Sequence, residues 1–351
     1  MLLLGIDEGT TGVKAALFDE RLRPVREARR DKVNRHPKPG WVEQDGEEVL
    51  QAVVEAVAEL LEAADEEVVA CGLDHQGESV LAWDAETGAP LSPIVVWQDK
   101  RSQEVLDRMG EHEEEIQSLS GLPFDPYFSA AKLAWLLEND EAVQRARDAG
   151  TLRMGTVDSF LCDRLGAGFA TDNSTASRTQ LHRLGTPGFD ERLCELFGVP
   201  ADVLPEVRDT AGDLGVLRHD SWPTELRLCG QVVDQQAALA GAGCVVPGRV
   251  KATYGTGVFV LGHVGDRCRD RRAGCCPPSR GGSTAAWSTR STAACSPPAP
   301  CWSGCAASSG WRTAPPRWPS WHAAPTETAA PASYPASRAW ALPGGSPTRA
   351  P

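Results

Sequence analysis

The sequence predicts an α/β protein of two related halves, the second cut short, on three observations. Short apolar runs of strand length alternate with amphipathic helical stretches over roughly the first 265 residues. Two strand–turn–strand segments of one design, "LLLGIDEGTTGVKAALF" and "RVKATYGTGVFVLGHV", lie far apart in the chain. After about residue 266 the residues that could build a core run out.

Residues 2–18 read as a strand, a Gly/Thr turn and a returning strand. Residues 47–64, "EEVLQAVVEAVAELLEAA", place apolar side chains at helical spacing and read as an amphipathic helix. "EVVACGLDHQ" follows as a buried strand running into a polar loop, and "SPIVVWQDKR" as another short strand with a polar end. "FSAAKLAWLLEND" reads as a helix and "VPADVLPEV" as a loop bracketed by prolines. "QVVDQQAALAGAG" is a strand end breaking into a helix, and 249–264 repeat the opening hairpin.

The chain carries 351 residues and a net charge of −13, which argues against nucleic acid or an anionic membrane as the main partner. The start "MLLLGIDEGTT" lacks the basic region and long apolar stretch of a signal peptide, and no span is long enough to cross a bilayer, so a cytoplasmic protein is expected. Up to residue 270 there are 47 acids and 27 Lys/Arg; from 271 onward there are eight Arg, no Lys, one acid (Glu327), one Leu (Leu342), and no Ile, Val, Phe or Met. Five cysteines fall before residue 265 and six after it, with no CxxC or Cys/His spacing, so neither one disulfide framework nor a zinc site is expected.

Five stretches carry chemistry. In "GIDEGTTGVK", Asp7 ends a strand and Gly9, Thr10, Thr11 and Gly12 form a turn whose small residues let amides approach a phosphate; Asp7 suits a Mg²⁺-bound water and Lys14 a phosphate charge. A Gly-Thr hairpin alone is often only a hairpin, but "TYGTG" at 253–257 repeats the device, and two such turns suit a clamped nucleotide. Asp234 lies at a strand end before a helix, as a proton-accepting base for phosphoryl transfer or merely as an N-cap. "DHQGES" and "WQDKR" stand at strand ends, where open α/β sheets bind ligands; His75 there is equally read as a satisfied loop residue, and Trp97 and Tyr127 as core aromatics or as walls for a polyol's carbon face.

"IDEGTTGVKAALFD", "HPKPGWVEQD", "IVVWQDKR", "GLPFDPYFSAAKLAWLLEN", "GTVDSFL", "TDNSTASRTQL", "LPEVRDTAGDLG", "DQQAALAG" and "VKATYGTGVFVL" together resemble the FGGY family of carbohydrate kinases, and within it the glycerol kinases, collinearly over residues 2–264. The resemblance implies an actin/hexokinase-like pair of ribonuclease-H-like domains, ATP and Mg²⁺ as cofactors, a small polyol (glycerol) as substrate, and a homo-oligomer as a possible assembly. By matching positions it implies Asp234 as catalytic base and Gln235, Glu78 and Tyr127 as polyol contacts. Trp97 and Phe259 would form the apolar wall. Asp7, Thr10, Thr11, Gly12 and Lys14 would serve the first phosphate turn, and Gly255 and Thr256 the second. Three positions depart from the pattern. Glu8 replaces a glutamine and places a negative charge near the phosphates, Gly12 replaces a serine, and Gly77 replaces an arginine that would hold two glycerol hydroxyls. Each charge-assisted bond lost there is worth roughly 1.5–3 kcal/mol, so another group substitutes or the polyol differs.

The expected organisation is a polyol-binding domain over 1–245, the start of a nucleotide-binding domain over 246–265, and an out-of-frame, disordered tail over 266–351. Reading 333–344 one frame over permits L-P-G-L-A-G-L-G-A-P-W-W, and 287–304 permits E-Y-A-L-D-G-G-V-F-T-A-G-A-L-L-E-W-L, both similar to later stretches of the same family. A chain so ended is expected to have impaired kinase activity; the alternatives are a kinase for another polyol or sugar of the same family, or a non-catalytic polyol-binding fragment.

Overall fold

A computed structural model describes residues 1–183, 185–254 and 258–263. The turn at Gly255 and Thr256 and the 266–351 tail therefore lie outside the described residues.

The chain opens with the strand Leu2–Glu8 (β1), returns as Gly12–Phe18 (β2) and adds Pro24–Asp31 (β3). Glu43–Gln44 (β4) leads into the helix Gly46–Glu62 (α1), then the strands Val68–His75 (β5), Val80–Asp84 (β6) and Ile94–Val95 (β7). Helices Gln103–Arg108 (α2), Glu113–Ser120 (α3), Ser129–Asn139 (α4) and Glu141–Ala149 (α5) follow. Next come Leu152–Thr156 (β8), Val157–Arg164 (α6), Ala170–Asp172 (β9), Asn173–Ala176 (α7) and Glu191–Phe197 (α8). The last elements are Glu206–Arg208 (β10), Val216–Leu217 (β11), Leu226–Val233 (β12), Asp234–Gly241 (α9), Val250–Tyr254 (β13) and Val258–Gly262 (β14).

The main sheet has the order β11-β12-β5-β1-β2-β3. Its centre, β12-β5-β1, is parallel, and the β1-β2-β3 flank is antiparallel. Alternation along β1 buries Leu2, Leu4 and Ile6, and along β2 Val13, Ala15 and Leu17. Helix α1 covers that face with Val49, Val53, Val57 and Leu60, all buried in the same cluster. Asp45 caps it by accepting from the amides of Glu47 (2.9 Å) and Glu48 (3.2 Å). A second, four-stranded sheet, β4-β7-β6-β8, packs its Val80, Ala82, Val95 and Met154 with Leu133, Leu136 and Leu137 of α4.

The opening hairpin, α1, β5, β7, α4, the β12-to-α9 break and the β13–β14 hairpin stand where the sequence places them. The proline-bracketed loop differs: it contains a single helical turn, Ala201–Val203, and the strand β10. β3 has no counterpart in the sequence reading. It is an edge strand that buries one side chain, Ala28; its other side chains are exposed except Arg30, which is half-buried and pairs with Glu55 and Glu59 of α1.

Candidate active site

Three parallel strands end at one edge of the main sheet, and each delivers a carboxylate there. Asp7 on β1 is in register with Asp74 on β5, Asp74 with Val232 on β12, and Asp234 begins α9 immediately after β12. Burial, with Asp7 and Asp234 nearby, pushes the Asp74 carboxyl up to about 9. Burial first and Glu78 second raise Asp234 to about 6. Asp234 accepts from its neighbour's amide, Gln235 N at 2.6 Å, and from Gln235 Nε2 at 3.1 Å. Lys251 on β13 donates to Gln235 Oε1 at 3.0 Å.

Glu78 sits just past β5 with φ +59°, a left-handed conformation that non-glycine residues adopt at a cost. Its Oε1 accepts from Arg178 Nε at 2.7 Å, and both side chains are buried. Arg178 lies over the Phe128 ring (5.2 Å) and the Tyr127 ring (5.9 Å). Burial alone would lower the guanidinium's pKa, but Glu78 and Tyr127 outweigh it and hold it up. Burial and Glu78 raise the Tyr127 phenol. Trp97 meets Tyr127 edge-on at 5.6 Å and Phe259 at 6.2 Å, so Glu78, Tyr127, Trp97 and Phe259 join one cluster. Beneath it, Lys132 is fully buried and donates to the carbonyls of Tyr127 (2.5 Å) and Phe128 (3.1 Å). Burial pushes Lys132 down to about 7 against the pull of Glu78, Asp99 and Asp125.

The β1–β2 turn bonds Gly9 N to Gly12 O at 3.1 Å, while the amides of Thr10 and Thr11 have no acceptor among the described residues. Gly12 leaves no room for a side chain, since a Cβ would stand 2.7 Å from Arg30 O. These amides and the small residues make a cradle that fits phosphate oxygens. Among the described residues no three His, Cys, Asp or Glu side chains are arranged to ligate a metal directly. The carboxylates at the strand ends instead fit a cation held through water.

The surroundings of three further positions bear on the expectations. Lys14 pairs with Glu27 on β3 at 2.9 Å. Glu8 does not face the turn: the alternation of β1 turns it inward with Ile6, fully buried and ion-paired to Lys32. Burial raises its pKa and Lys32 opposes that. At Gly77 an arginine has no space, because even a Cβ would lie 2.5 Å from Val233 Cγ2. Glu78 is met by the guanidinium of Arg178, within "TDNSTASRTQL"; neither Arg178 nor Asp74 is marked as a site residue by the sequence alone. His75 is satisfied, bonded to Gln76 O (3.0 Å) and Thr175 Oγ1 (2.9 Å).

A central parallel sheet flanked by an antiparallel hairpin, with a Gly/Thr turn and carboxylates at the strand ends, is the α/β arrangement of the actin/hexokinase-like fold class. A profile of the FGGY family of carbohydrate kinases, N-terminal domain, matches residues 2–241, and the chain belongs to that family. It is 40% identical over 272 residues to a glycerol kinase of Ectopseudomonas mendocina (strain ymp), covering 76% of this chain and 55% of that one. A crystal structure of Plasmodium falciparum glycerol kinase with ADP is similar, with a TM-score of 0.73 and 31% identity over 76% of this chain and 55% of that one. A xylulose kinase from Rhodospirillum rubrum shares the fold, with a TM-score of 0.67 and 22% identity over 74% of this chain and 54% of that one. The chain spans about half the length of the curated relatives it matches. No helix among the described residues is long and apolar enough to cross a membrane.

Proposed function

We propose that the chain carries the polyol-binding part of an ATP- and Mg²⁺-dependent kinase that converts glycerol to glycerol 3-phosphate. The observation that carries this reading is the approach of Glu78, buried and held by Arg178, to Asp234, beside the Trp97–Tyr127–Phe259 wall. Glu78 would accept from polyol hydroxyls while the rings cover the carbon face. Asp234, raised to about 6, is mostly ionised at neutral pH yet more basic than an ordinary carboxylate, as an acceptor for the attacking hydroxyl's proton should be. Thr10, Thr11 and Gly12 would hold phosphate oxygens, and Asp7 would hold Mg²⁺ through water. Bound Mg²⁺–ATP supplies the phosphoryl group and neutralises its charge.

Residues 1–245 are read as this domain, 246–265 as the start of a nucleotide-binding domain, and 266–351 as out of frame. The reading of the tail rests on its composition and on what 287–304 and 333–344 permit one frame over. Resequencing codons 255–295 tests it: a restored base near codon 266 supports it, and an unchanged sequence makes the tail part of the chain the gene encodes. A coupled assay on the frame-restored protein tests the activity, and turnover of glycerol supports it. Turnover of another polyol with none of glycerol would transfer the assignment to the second reading, a kinase for a different polyol, which the glycine at 77 favours.

A further inference from the structure

Trp97 makes contacts at both ends of this site. Its ring faces Tyr127 and Phe259 on the polyol side. Its Nε1–H donates to Thr10 Oγ1 at 2.9 Å in the β1–β2 turn. Gln44 Nε2 donates to the Thr10 carbonyl at 2.7 Å, and Gln76 Nε2 to Gln44 Oε1 at 2.9 Å. Ser79 Oγ donates to Gln76 Oε1 at 3.1 Å and accepts from Trp97 N at 3.0 Å. The five residues close a ring of hydrogen bonds. Gln44, Gln76 and Ser79 are buried, and Gln76 is tied by a 3.0 Å bond to Glu8, the partner of Lys32.

The ring fixes the direction of one proton. An indole N–H can only donate, so Thr10 Oγ1 accepts from it and must turn its own hydrogen elsewhere. Among the described residues that hydrogen has no acceptor. It belongs to the same residue whose amide is also unspent, in a turn built of small residues. We propose that Trp97 is a positioning residue for the phosphate turn: its indole sets the Thr10 hydroxyl as a donor to a bound phosphate, so that the polyol wall and the phosphate cradle are ordered by one side chain. This rests on reading residues 9–12 as a phosphate turn.

The test is calorimetric titration of magnesium tripolyphosphate into the full chain and its variants. Thr10→Val loses the donor and is expected to weaken binding about tenfold or more, as for a hydrogen bond to a charged group. Trp97→Phe keeps an aromatic wall but frees the hydroxyl, and is expected to weaken binding several-fold. The double variant is expected to bind no more weakly than Thr10→Val alone, and Thr10→Ser to recover most of the loss. A double variant whose losses multiply, or a Trp97→Phe variant that binds like the parent, overturns the proposal. A parent chain that binds no tripolyphosphate overturns the phosphate-turn reading as well, which separates the two failures. If Trp97→Phe does not fold, ¹⁵N-indole spectra decide. One indole N–H signal is expected to lose exchange protection in Thr10→Val and regain it in Thr10→Ser, and no movement overturns the proposal.

Discussion

Gly77→Ala tests the steric pairing that separates this site from the arginine-bearing pattern. Gly77 is not among the glycines with positive φ, so its role is space and not backbone freedom. An added Cβ would stand 2.5 Å from Val233 Cγ2, and Val233 is 2% exposed, with its amide bonded to Ser174 Oγ at 3.0 Å. Val233 therefore cannot step aside, and overpacking of this kind costs about 1–3 kcal/mol. Val233→Ala alone costs about 2 kcal/mol through lost burial and a small cavity. Together the two changes exchange volume across one contact, so the double variant should be little less stable than Val233→Ala, with a coupling of about 1–3 kcal/mol. Urea denaturation of the four proteins measures this. Additive losses would refute the claim that Val233 occupies the place of a side chain at 77.

Other expectations follow from the buried charges. Arg178→Met leaves Glu78 buried without its ion partner and should cost about 3–5 kcal/mol in urea denaturation, with Arg178→Lys restoring little, because an ammonium cannot reproduce the fork that meets Glu78 and Tyr127. Asp234 titrates at about 6 in the folded protein against 3.8 ordinarily, so the folded state holds the proton more tightly. Its contribution to stability is present below pH 4 and lost as pH rises to about 6. Asp234→Asn should therefore gain stability relative to the parent over that window and hold a constant advantage above it, as pH-resolved denaturation would report. Lys132 titrates at about 7 against 10.5, so the folded state holds its proton less tightly. The parent should lose stability relative to Lys132→Met as pH falls from about 10 through 7, and a pH-independent difference would contradict this.

Much of the fold was legible because it is written locally. The Gly/Thr turn, the apolar alternation of β1 and β2 and the helical spacing of α1 each determine their element within a few residues. β3 was not legible, because an edge strand that buries only Ala28 has almost no apolar alternation to read. Asp234 stood out as a carboxylate at a strand end, and the same signal was available for Asp74, one residue before His75. The inward turn of Glu8 was also available, since counting by twos along β1 groups it with Leu2, Leu4 and Ile6. Arg178 was beyond local reading: it meets Glu78 across 100 residues of sequence, brought there by the folding of α7 beside β12. The close approach of Val233 to the backbone of Gly77, which a Cβ there would turn into a clash, is equally non-local, joining the ends of β5 and β12.

The most direct test of the account is a calorimetric titration of glycerol into the 351-residue chain. Glu78, Tyr127, Trp97, Phe259 and Asp234 are all within the described residues, so the account predicts saturable binding at one site per chain, whatever the fate of the ATP side. Saturable heat with glycerol would place the polyol site where the structure assembles it. No saturable heat with glycerol or any other small polyol would contradict the assignment at its root.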